Sequence, residues 1–196
     1  MRVGAAFCFL LLLLAPLFGA PKGLAQITEG WVSASKAEET SLNVLDAATK
    51  ARERGDDDMA AQIYTRAIED TSIPDRHRMT YLLERGRIQL AVGDMARALA
   101  DMNAAVALIE SEPSPRVRGG VYSLRGFLLA DLGRHEEAVQ DLQRAYSLRT
   151  QPDPGFEKTI EPLRKSSPQF AAFMDEEAER ILDAIERKLR ELGGWE

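Results

Sequence analysis

A chain of 196 residues with 45% apolar content is sized for one domain with appendages, and it excludes wholesale disorder. Its formal net charge of −6 argues against a surface built for nucleic acid or an anionic membrane. The single cysteine, Cys8, excludes an internal disulfide and a multi-cysteine metal site.

Residues 1–25 carry the pattern of a secretory signal peptide. Arg2 supplies a positive start, Val3 to Leu14 is almost wholly apolar, and Pro16, Gly19 and Pro21 break the run. Gly23-Leu24-Ala25 offers small residues where a signal peptidase reads, which sets cleavage before Gln26. An uncleaved anchor is the alternative, for which the apolar run is short. Cys8 follows Phe7 rather than a small residue, unlike a lipoprotein attachment site. Cleavage removes Arg2 and Lys22 and no acid, so the mature chain moves from −6 to −8 and has no thiol. No Asn-x-Ser/Thr sequon occurs, in keeping with bacterial export to the periplasm.

Residues 26–40 are polar, include Gly30, Ser33 and Ser35, and read as a linker. Ser33 and Lys36 match the Ser-x-x-Lys signature of penicillin-recognising enzymes, but the accompanying Ser-Asp-Asn and Lys-Thr-Gly elements are missing, so the match is chance. Thr40 or Ser41 is placed to cap a first helix running to about Arg54. Gly55 then marks a turn, and Asp56, Asp57 and Asp58 put negative charge at the start of the next helix, where free backbone amides favour it. A calcium loop would need an internal glycine and further oxygen ligands, whereas Met59, Ala60 and Ala61 follow.

Ala60, Tyr64 and Ala67 share one face of that second helix. Ser72 to Asp75 forms a loop from which Asp75 is expected to cap a helix ending at Gly93. Gly86 lies inside that helix, where glycine costs about 1 kcal/mol relative to alanine, so a close helix crossing is expected. Gly93 suits the left-handed conformation that ends a helix. Ala98, Met102 and Ala105 follow on one face of another helix. Ser114-Pro115 is a capping residue followed by proline at the first helical position.

From here the chain repeats itself. Gly86, Gly93, Ala98, Met102 and Ala105 return forty residues later as Gly126, Gly133, Ala138, Leu142 and Ala145. Arg85 and Asp101 return as Arg125 and Asp141, while the first copy has Ala47 and Ile63 instead. Arginine and aspartate therefore occur together, as ion pairs tying first to second helices, within a repeat or between neighbours. After Tyr146 the pattern stops at Gln151-Pro152-Asp153-Pro154-Gly155. A short helix is expected from Phe156 to about Lys165, and a long one from Pro168 to Gly193-Gly194, with Phe170, Phe173, Met174, Ile181, Leu182, Ile185, Leu189 and Leu192 as its apolar stripe. Such a helix would cover the open face of the last repeat.

Small, aromatic or aliphatic, and small residues at these offsets resemble the tetratricopeptide repeat (TPR) family, whose unit is a helix pair. Val44, Leu82 and Tyr122 stand where that family has tryptophan. The resemblance implies an all-α fold of three tandem hairpins, about 41–74, 79–112 and 119–152, forming a short right-handed α-solenoid with capping helices over 153–196. It also implies a non-catalytic scaffold that holds a peptide or helix of another protein in a concave groove lined by first helices. Here that groove would present Leu42, Leu45, Thr49, Arg52, Leu83, Arg87, Leu90, Ser123 and Phe127. Leu45 and Thr49 stand where chaperone-binding relatives clamp a terminal carboxylate, which argues against that partner. The alternatives are a structural protein self-assembling as a homodimer through its last helix, and a small envelope hydrolase using helix-borne carboxylates.

No cofactor or metal is implied. His77 and His135 are read as solvated histidines at helix ends, and Val139 occupies the place of the second histidine of a zinc-binding helix. The sequence contains no Gly-rich phosphate loop and no Gly-x-Ser-x-Gly elbow.

Overall fold

The computed structural model describes residues 36–109 and 112–195. The segment read as a signal peptide, most of the expected linker and Ser33 lie outside them. Among the described residues run eight helices and no strand: α1 (Lys36–Glu53), α2 (Asp57–Glu69), α3 (Asp75–Ala91), α4 (Met95–Leu108), α5 (Pro115–Asp131), α6 (His135–Arg149), α7 (Pro154–Ser166) and α8 (Pro168–Glu191). None is long and apolar enough to cross a membrane. The chain divides between residues 110 and 111 into two compact units, the first holding α1 to α4 and the second α5 to α8.

Local chemistry sets most helix ends. Gly55, Gly93 and Gly133 have φ of +77°, +81° and +73°, a left-handed geometry that glycine enters at no steric cost. Asp56 caps α2 by accepting from the Met59 amide at 2.9 Å, and Asp94 caps α4 by accepting from the Arg97 amide at 3.0 Å. Ser114 Oγ accepts from the Val117 amide at 3.2 Å, with Pro115 opening α5. Two starts differ from expectation. Helix α1 begins at Lys36, inside the expected linker and ahead of Thr40 and Ser41, because Lys36-Ala37-Glu38-Glu39 are strong helix formers. Ser41 is consequently buried within the helix rather than capping it. Asp75 is the first residue of α3, preceded by Pro74, and pairs with Arg78 instead of capping.

In the first unit the hairpins α1–α2 and α3–α4 pack together through α2 and α3. Ala48, Ala51, Ala60 and Tyr64 are almost fully buried, and the Tyr64 and Tyr81 rings stack at 5.9 Å across the α2–α3 contact. In the second unit α5 and α6 form a hairpin, and α8 packs on α6 and α7. The buried stripe of α8 runs through Ala171, Met174, Ile181, Ile185 and Leu189, while Phe173, Leu182 and Leu192 are half-buried. Beyond α8, Gly193 turns the chain with φ +70° and Gly194 lies against α6, where a Cβ would meet Val139 Cγ1 at 2.5 Å. The Gly194 carbonyl accepts from Gln143 Nε2 at 2.7 Å, the Trp195 ring meets Tyr146 edge-on at 4.6 Å, and the Tyr146 hydroxyl donates to Glu186 at 2.9 Å.

The equivalent glycines at the two crossings are not equally constrained. A Cβ on Gly126 would lie 2.8 Å from Leu142 Cγ and 3.2 Å from Asp141 Cβ, whereas on Gly86 its nearest neighbours would be the Ala98 carbonyl oxygen and Asp101 Cβ, both at 3.5 Å. Gly86→Ala is therefore expected to hold or raise the melting temperature, since it recovers about 1 kcal/mol of helix propensity without a clash. Gly126→Leu should instead overpack and cost about 1 to 3 kcal/mol. Thermal unfolding of both variants checks this, and a Gly126→Leu protein as stable as the parent would contradict the crossing geometry.

Candidate functional site

The repeat-specific ion pairs are the first candidates for chemistry, and their geometry makes them structural. Arg85 donates to Asp101 through Nε at 2.8 Å and Nη2 at 2.6 Å, and Arg125 donates to Asp141 through the same two nitrogens at 2.6 and 2.8 Å. Each fork joins the first and second helix of one hairpin, which decides between the two arrangements left open by the sequence. Arg85 also reaches back with Nη1 to Thr65 Oγ1 on α2 at 2.8 Å, adding a link between neighbouring hairpins. Carboxylate and hydrogen-bonded fork together hold both guanidinium groups above their ordinary pKa, against the opposing effect of burial. Both arginines and both aspartates thereby satisfy one another and offer no free acid or base.

The first-helix residues expected to meet a partner divide by exposure. In the first unit Thr49 and Arg52 are exposed, Leu42 and Leu90 half-buried, and Leu45 and Leu83 buried. In the second unit Phe127 is half-buried, whereas Ser123 is buried and donates to the Gly120 carbonyl at 2.8 Å. Leu45, Leu83 and Ser123 thus present no open surface; for Leu83 the reason is that α3 is flanked by both α2 and α4 and so buries more than the single stripe that helical periodicity marks. Tyr122, one residue before Ser123, is buried with Arg144 over its ring at 4.5 Å.

The two arginines expected in this groove already have partners within the unit. Arg87 Nη1 lies 3.2 Å from Glu84 Oε1, with only 10% and 6% of the two side chains exposed. Arg52 Nε lies 3.4 Å from Asp57 Oδ1. Burial pushes the Glu84 carboxyl up, opposed by the fields of Arg87 and Arg52, so the three form one polar cluster. Tyr64 borders it: burial and the Glu84 charge both raise its phenol well above the ordinary value. Glu84 was not anticipated from sequence, and its signal was the placement one helical turn before Arg87.

Of the histidines, His135 is exposed at the first position of α6, but His77 is only 3% exposed, contrary to the solvated role expected for it. The reason is its place in the first turn of α3, which packs against both α2 and α4. The aspartates after Gly55 serve the helix start: Asp56 caps α2 and Asp57 pairs with Arg52. Among the described residues no group of three or more histidine, cysteine, aspartate or glutamate side chains is arranged to hold a metal ion.

Residues 120–152, most of α5 with all of α6, match the tetratricopeptide repeat family. The structure of BtubC (BKLC) from P. vanneervenii superimposes with a TM-score of 0.52 at 17% identity, covering 84% of this chain and 69% of that one. The fold is all-α and of the TPR type. Two structures of RPAP3 are also similar: the first TPR domain of the human protein, at 22% identity and TM-score 0.48, covers 78% of this chain and 94% of its own. The first TPR of Spaghetti (RPAP3), bound to the HSP90 peptide SRMEEVD, is 26% identical with TM-score 0.47 and covers 68% of this chain and 94% of its own. No curated protein matches in sequence. The matched segment coincides with the third TPR-type hairpin, the copy whose small residues and turn glycine are repeated most plainly in the sequence.

Proposed function

We propose that this TPR-type chain is a non-catalytic interaction scaffold that holds a peptide or helical segment of another protein. The observation that carries the reading is the hairpin architecture itself, in which the repeated polar residues are consumed in tying helices together. In the first unit the contact surface consists of Thr49, Arg52 and Leu90, with the Glu84–Arg87 pair as its floor. Phe127 is the corresponding contact in the second. Arg52, half-engaged by Asp57 at 3.4 Å and still exposed, is the group free to trade its internal partner for a carboxylate of the bound segment.

A further part of the proposal is export, supported by the apolar run and small-residue site of residues 1–25. The mature chain then begins at Gln26 and acts outside the cytoplasm, in the periplasm of a bacterial cell. Affinity capture from envelope extract, with mass spectrometry of both bait and captured proteins, tests both parts. Arg52→Glu is expected to lose the bound partner while melting as the parent does, because an exposed pair contributes about 0 to 1 kcal/mol. Equal capture by parent and Arg52→Glu would remove the contact assignment, and an intact Met1 on the bait would replace the signal peptide by an anchor. Arg87 is unsuitable for this test, since removing it strands the Glu84 carboxyl in a buried place.

A further inference from the structure

The last turn of α6 holds a charge that no ion pair among the described residues answers. Arg149 is 7% exposed, and its Nε is buried without a hydrogen-bond partner. Among the described residues it has no ion-pair partner, in contrast to Arg85, Arg125 and Arg164, each of which grips a carboxylate with two nitrogens. Burial, and then the field of a second cation, Arg116, press the guanidinium down to about 10, still protonated at neutral pH. A buried cation without a counter-charge is costly, and Arg149 is the most deeply buried arginine among the described residues.

The seat of Arg149 is shaped by sequence. A Cβ on Gly119 would lie 2.6 Å from Arg149 Cγ and 3.0 Å from the Ala145 carbonyl oxygen, and a Cβ on Gly120 would lie 3.7 Å from Arg149 Nη1. The glycine pair in the second turn of α5 therefore admits the arginine stem and runs beneath its head. Arg116, on the first turn of the same helix, is laid over the Phe156 ring at 4.4 Å. Asp153 accepts from Ser114 Oγ at 2.5 Å and from the Phe156 amide at 2.9 Å, and Asp175, whose carboxyl also feels Arg116, is held by Arg164 at 2.6 and 2.8 Å.

We propose that Arg149, seated on Gly119 and Gly120 of the helix that also carries Arg116, is a receptor for an oxyanion supplied from outside the chain, a phosphate or a carboxylate. The site lies within the second unit and does not depend on the contact surface assigned above. An oxyanion taking charge-assisted bonds from Arg149 would supply the counter-charge that none of the described residues provides, and Arg116 would add its field.

The test is titration of the intact chain with sodium phosphate, and separately with N-acetylglutamate, at constant ionic strength set by chloride, followed by calorimetry and thermal melting. Saturable binding with a rise in melting temperature is expected for one of the two probes, phosphate pointing to an inorganic or phosphoryl ligand and N-acetylglutamate to a carboxylate. Arg149→Gln should lower the affinity about tenfold or more, the equivalent of one charged hydrogen bond, and Arg116→Gln should weaken it less. The parent titration stands alone if Arg149→Gln does not fold. Absence of saturable binding of either probe to the parent overturns the proposal. So does binding retained in full by a folded Arg149→Gln protein, or a rise in melting temperature that never saturates, which is the general salting effect.

Discussion

Truncation before Pro168 is expected to give an aggregating or partly unfolded product. The cut removes α8, whose Met174, Ile181, Ile185 and Leu189 are each at most 6% exposed, and uncovers the faces of α6 and α7 on which they pack. Each buried aliphatic side chain contributes roughly 1.5 to 3 kcal/mol, so four of them rival the 5 to 15 kcal/mol that holds an ordinary domain folded. The loss extends past the helix, since the tail carries Trp195 against Tyr146 and the Gly194 carbonyl on Gln143. Circular dichroism and light scattering of the truncated chain check the outcome. A soluble, cooperatively melting product would show that α8 is an appendage and would favour the reading in which it joins two copies.

Asp141→Ala is expected to destabilise the second unit by about 3 kcal/mol, at the low end for breaking a buried pair because Arg125 keeps some contact with solvent. Asp141 has 8% of its side chain exposed and Arg125 21%, and removal of the carboxylate leaves a guanidinium that was gripped by two hydrogen bonds with neither. A drop in melting temperature of roughly 12 to 24 °C follows from that figure for a unit of this size. Asp46→Ala is the control: its pair with Lys50 is 61% exposed on both sides, and its loss should be nearly silent. The double change Arg125→Met with Asp141→Leu should recover much of the loss, because an apolar pair of similar volume carries no desolvation cost. If Asp141→Ala melts like the parent, the repeated arginine and aspartate do not tie the helices together.

Much of the fold was legible because it is written in local chemistry. Gly55, Gly93 and Gly133 end helices through their own backbone freedom, Ser114-Pro115 opens α5, and Asp56 caps α2, each independent of what lies across the core. The small residues at Ala98, Ala105, Ala138 and Ala145 marked buried helix faces correctly, because the 3.6-residue period alone places them together. The joint occurrence of Arg85 with Asp101 and of Arg125 with Asp141 predicted the pairs, though not that each stays within one hairpin.

What only the tertiary structure decided concerns the opposite side of each contact. Gly86 and Gly126 are equivalent in sequence, yet only Gly126 faces a branched Leu142 close enough to forbid a methyl group. Leu83 and Ser123 lie on the predicted first-helix faces but are closed off by packing, and His77 is buried because its helix is flanked on both sides. Glu84 answers Arg87, while Arg149 sits on Gly119 and Gly120 with no acid among the described residues paired to it. Periodicity fixes the direction in which a side chain leaves its helix, but the charge and volume it meets belong to a neighbour distant in sequence, and only folding brings the two together.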